Sequence, residues 1–132
     1  MSIEHINPPE MHSNPGFSQG IVVPGGSKLL FIGGQNAVNA KGEVVGIGDV
    51  AAQAAQAIDN LLTVLKAAGG EINDLVEVSI LMVDGQDLRA AYGAWLGRAG
   101  AVRKPATVNF AKVSGLALPD YLIEVKAIAV LK

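Results

Sequence analysis

With 132 residues, half of them apolar and only 17% charged, the chain is one domain of ordinary size that can bury a core, which excludes bulk disorder. Ten basic and twelve acidic residues leave a net charge of −2, excluding the strong positive field that non-specific nucleic-acid binding needs. The lack of cysteine removes disulfides, thiolate nucleophiles and Cys-ligated zinc, and the aromatic share of 5% leaves the core to Val, Ile, Leu and Ala.

Residues 1–15 (MSIEHINPPEMHSNP) read as a polar, irregular arm. They lack the charged start and apolar run of a secretory signal, and no stretch reaches the roughly 18 apolar residues of a membrane span. The expectation is a soluble, cytoplasmic, unprocessed single domain over 1–132. Phe17–Val23 reads as a strand ended by Pro24-Gly25-Gly26, and Lys28–Ile32 as a second, so the spacing suggests a hairpin. Gly33-Gly34-Gln35-Asn36 breaks that strand. Asp49 caps a helix to about Ala68, whose Ile58, Leu61, Leu62 and Leu65 share one face, and Gly69-Gly70 stops it. Leu75–Val83 is a strand and Gln86–Arg98 a second helix. Ala106–Val113 is a strand after Pro105, and Tyr121–Leu131 is the last strand.

The order ββ-α-β-α-ββ gives an α+β fold: one sheet with both helices on one face. LVEVSILMV is apolar on both sides, with Val76, Val78, Ile80 and Met82 on one and Leu75, Leu81 and Val83 on the other. A face left in water reads polar, so the second face is expected to lie against another copy of the chain, with a pocket at the subunit boundary.

The candidate chemistry is sparse. His5 and His12 lie in the arm, apart from any evident Ser and Asp, and read as solvated; neither a hydrolytic triad nor a metal site is expected. Gly33-Gly34 either offers backbone N–H groups to an anion or forms a bulge or turn. Glu124 interrupts the apolar last strand. It is either a general acid or base in a cleft, or one half of a cross-strand ion pair with Lys112 or Lys126. Thr107 and Asn109 share a strand face and either line a small pocket or form a polar edge. Arg103-Lys104 reads as solvated charge, and Tyr92 and Trp95 as core.

Several blocks, in order, resemble the RidA/YjgF family, some of whose members carry the label endoribonuclease L-PSP. They are Asn14-Pro-Gly-Phe-Ser-Gln-Gly, Phe31-Ile-Gly-Gly-Gln, Asp49-Val-Ala-Ala-Gln-Ala with Asn60-Leu, Lys104-Pro-Ala-Thr-Val-Asn-Phe-Ala-Lys-Val, and Leu118-Pro-Asp-Tyr-Leu-Ile-Glu-Val-Lys-Ala-Ile-Ala-Val. The resemblance implies a chorismate-mutase-like fold, a homotrimer, and a pocket at each subunit interface. It also implies cofactor-free hydrolysis of enamines and imines such as 2-aminoacrylate to keto acids and ammonia. Glu124 matches the family glutamate. Phe17 stands where the family commonly has Tyr, Gly33 where it has Ser, Thr107 where it has the carboxylate-binding Arg, and Asn109 where it often has Cys. Missing that arginine, the chain is expected to act on a small reactive enamine or imine other than the 2-aminoacrylate type. Glu124 is the expected catalytic group, with Phe17, Gly33, Gly34, Thr107 and Asn109 binding substrate. The alternative is a trimer that binds a small metabolite without turnover; mild acidity and few aromatics speak against a ribonuclease.

Overall fold

A computed structural model describes residues 2–100, 102 and 104–132. Four strands form one mixed sheet in the order β3-β6-β4-β5: β3 (Lys28–Gln35), β4 (Leu75–Val83), β5 (Thr107–Val113) and β6 (Ile123–Leu131). β6 runs antiparallel to both β3 and β4, whereas β4 and β5 are parallel. A parallel pair needs a crossover, and α2 (Leu88–Ala99) provides it. α1 (Val50–Ala67) lies across β3 and β6, and α2 packs beside α1. The α+β reading, with two helices on one face of a mixed sheet, therefore holds.

The helices begin where their caps dictate. Asp49 accepts from the Ala52 amide at 3.1 Å, and Asp87 accepts from the Arg89 amide at 2.9 Å. α1 buries Val50, Ala54, Ala57, Ile58, Leu61 and Leu65, a stripe of period 3.6 that meets the sheet. It stops at Gly69, whose φ of 83° favours a residue without Cβ. From the sheet, Val78, Met82, Ile123, Val125, Ala127 and Ala129 close the core. Gln53, fully buried on α1, donates to the carbonyls of Gly46 and Asp120 and accepts from the Leu122 amide at 2.9 Å. One side chain thus fixes both the approach to α1 and the start of β6.

The N-terminal half departs from the expected hairpin. β2 (Gly20–Val22) pairs with β1 (Glu4–Ile6) inside the arm, in a separate two-stranded sheet. β3 instead takes β6 as its partner, along a register from Lys28↔Leu131 to Gln35↔Val125. A long apolar partner satisfies more of the β3 backbone than the three-residue β2 can. β3 also continues through Gly33 and Gly34, because the two glycines form a bulge between Ile32 and Gln35. The register shift between Leu75 and Glu77 turns Leu75 into the core, away from the open face on which it was expected. Among the described residues, no helix is long and apolar enough to cross a membrane.

Candidate active site

Strand alternation sorts the candidates. Ile123, Val125 and Ala127 face the helices, so Glu124 and Lys126 project from the helix-free face. On β5, Val108 and Phe110 line the helix side, which leaves Thr107 and Asn109 on the same open face as Glu124. That face carries an apolar band: Phe31 is 70% exposed and Leu29 46%, with Leu81, Ile128 and Val130 half-buried beside them.

Glu124 folds over the β3 bulge. A Cβ added at Gly34 would meet its Cδ at 2.8 Å and its Oε2 at 3.0 Å, so the bare glycine backbone is the seat of the carboxylate. A Cβ at neighbouring Gly33 would meet nothing within 4 Å. Neither glycine has a positive φ, so the pair is a bulge in extended backbone. The cross-strand ion pair with Lys112 or Lys126 is not formed. Among the described residues the ion pairs join Arg98 to Asp59 and Lys132 to Glu71 and Asp74. The half-buried Glu124 carboxylate thus lies on a partly apolar face without an ion-pair partner among the described residues.

Register separates the remaining candidates. Asn109 lies level with Ser79 and Lys126, and Thr107 level with Glu77 and Ile128. Glu124 lies level with Leu81 and, beyond it, Ala111. With β4 between them, β5 and β6 are two strand spacings apart, roughly 10 Å. Thr107 and Glu124 therefore share a face of one chain without meeting. The Thr107 hydroxyl donates to the Val76 carbonyl at 2.9 Å, which commits its only proton. Phe17 lies elsewhere. It meets the His12 ring edge-on, with centroids 6.0 Å apart, and lines a cleft of about 560 Å³ on the helix side. Tyr92, Trp95, Val108 and Phe110 also line that cleft. Tyr92, read as core, is 50% exposed, and Trp95 packs against the core. Arg103 lies outside the described residues.

One polar cluster escaped the reading of the sequence. His5, expected to be solvated, places Nδ1 at 2.8 Å from the Ser18 hydroxyl, and Ser18 donates to the Pro105 carbonyl at 2.6 Å. The β1–β2 pairing brings these residues near each other across 13 positions of sequence, so no local pattern betrays the contact.

Comparison with known proteins agrees with this architecture. The sequence profile of the family described as Endoribonuclease L-PSP matches residues 9–131. A RutC family protein of Pyrococcus horikoshii is 38% identical over 105 residues, 76% of this chain and 78% of that protein. The 2-iminobutanoate/2-iminopropanoate deaminase of Escherichia coli is 36% identical over 107 residues, 77% of this chain and 79% of that protein. The crystal structure of YyfB, from the conserved Rid protein family of Yersinia pestis, superposes with a TM-score of 0.85 at 37% identity, covering 99% of this chain and all of that one. With the helix-backed mixed sheet and a profile match along nearly its whole length, the chain belongs to the RidA/YjgF family, known also as endoribonuclease L-PSP.

Proposed function

We propose that this protein is a cofactor-free hydrolase that deaminates a small enamine or imine, in a pocket completed by neighbouring copies of a homotrimer. The observation that carries this is the Glu124 carboxylate: it has no ion-pair partner among the described residues and lies over Gly34 on an apolar sheet face. The deaminase name of the Escherichia coli relative supports the reaction class.

The chemistry asks little of the protein. An enamine first tautomerises, taking a proton on carbon and losing one from nitrogen, to become an imine. Glu124, as general base, removes a proton from water while the water oxygen bonds to the C=N carbon. The carboxyl returns that proton to nitrogen, the hydroxyl proton of the adduct follows it, the C–N bond breaks, and ammonia leaves as the carbonyl forms. Imine and water become carbonyl compound and ammonia, with no change of oxidation state. Asn109 and the open backbone at Gly33 bind the substrate, and Thr107 belongs to the surrounding wall; Phe17, on the helix side, stands apart from them. The Thr107 proton is committed to Val76 and Arg98 is held by Asp59 at 2.8 Å, so neither supplies an anchor for a substrate carboxylate. The substrate we infer is therefore not a 2-aminoacrylate-type imino acid. The absence of the family's arginine at Thr107 also favours a second reading, in which the trimer retains a small metabolite without turnover.

Ammonia release from freshly generated imines, with and without a carboxylate, separates the two. The proposal expects turnover of the carboxylate-free class, reduced by roughly 100-fold or more in Glu124→Gln. Thr107→Arg is expected to raise activity on carboxylate-bearing imines by roughly tenfold, through a charge-assisted contact. Release no faster than in buffer for either class overturns the enzyme and leaves the binding protein.

A further inference from the structure

Before it enters β5, the chain is held by the N-terminal arm. Ser18, only 3% exposed, grips two consecutive carbonyls. Its hydroxyl donates to Pro105 at 2.6 Å and its amide donates to Ala106 at 3.0 Å. The next residue is Thr107, the first of β5. Because the hydroxyl proton goes to Pro105, the Ser18 oxygen has only acceptor capacity left for His5. The 2.8 Å contact therefore requires a proton on His5 Nδ1, which fixes the tautomer. Nε2 is then a bare acceptor, and it is buried without a partner among the described residues. The N–H of Nδ1 is thus the hydrogen bond by which the ring is held, and a buried orphan nitrogen is tolerated to keep it. His5 is carried on β1, Ser18 lies just before β2, and the pairing of β1 with β2 sets the distance between them.

We propose that His5 and Ser18 are positioning residues, a clamp that sets the start of β5 and with it the placement of Thr107 and Asn109 in the substrate pocket. This rests on the functional reading above, so its test carries one readout that needs no substrate. A clamp acts on the substrate-binding strand and leaves the Glu124 carboxylate on β6 in place. Ser18→Ala and His5→Ala are therefore expected to raise KM roughly tenfold while kcat stays within about twofold. His5→Asn, whose amide nitrogen can stand in for Nδ1–H, restores the wild-type KM. In the same variants, amide exchange followed by NMR is expected to quicken roughly tenfold at Thr107–Phe110 and to stay unchanged in β3 and β6.

Uniform acceleration across all strands, or a KM within about twofold of wild type in both alanine variants, overturns the clamp. Should Ser18→Ala fail to fold, the His5 pair decides, since it removes only the bond to the hydroxyl. Should the wild-type protein turn over no imine, the functional reading falls, and the exchange pattern alone upholds or overturns the clamp.

Discussion

Gly33 and Gly34 are adjacent in the β3 bulge, yet they face different surroundings. A methyl group at Gly33 enters open space, whereas one at Gly34 strikes the Glu124 carboxylate at 2.8 Å. The two substitutions make a matched pair. Gly34→Ala is expected to cost roughly 10- to 100-fold in ammonia release, because a carboxylate displaced by about an ångström no longer meets its water. Its unfolding free energy should stay within about 1 kcal/mol of wild type, since the side chain that moves is flexible and alanine restricts the unfolded chain. Gly33→Ala should leave both quantities near wild type. Equal effects of the two on turnover would contradict the seat assigned to Glu124. At this scale the sequence is half legible. An isolated acid in Tyr121-Leu-Ile-Glu-Val-Lys-Ala-Ile-Ala-Val stands out because its neighbours are apolar. The reason for Gly34 does not, because it depends on a cross-strand contact between residues far apart in the chain.

The long elements are readable because each carries its own periodicity and stops. α1 follows its apolar stripe from the Asp49 cap to Gly69, and β4 appears where its apolar run lies. The arm is not readable. Glu4-His5-Ile6 is too short for a period to emerge, and its partnership with Gly20–Val22 competes with a hairpin that local spacing equally suggests. That pairing has a consequence for pH. Burial pushes the His5 ring below its ordinary value of 6.5, the nearby Lys104 ammonium adds to this, and the neighbouring Pro105 carbonyl partly opposes it. Below pH 6.5 the unfolded chain takes up a proton at His5 that the folded chain resists, so the unfolded state is favoured. The contribution is complete above 6.5 and is lost as pH falls from there through the folded value. Urea unfolding on either side of pH 6.5 should show the midpoint declining on the acid side, with a smaller decline in His5→Asn. An identical pH dependence in the two proteins would contradict the lowering of the His5 pKa.

Across the whole molecule, the sheet has one face too many for its helices. α1 and α2 cover one side, and the other carries Glu124 together with Leu29, Phe31, Leu81, Ile128 and Val130. From the sequence, the apolar residues read on that face of β4, Leu75, Leu81 and Val83, suggest a partner copy, and of these Leu75 turns into the core. In one chain Thr107 and Glu124 lie two strands apart, so the proposed pocket, if it uses both, would draw them from different copies. Which copy supplies which wall is not legible, because it depends on packing between chains. Sedimentation equilibrium of the purified protein at micromolar concentration tests this most directly. The account predicts a single species of three times the 13.6 kDa chain mass; a stable single chain would leave Glu124 facing bulk water and contradict it.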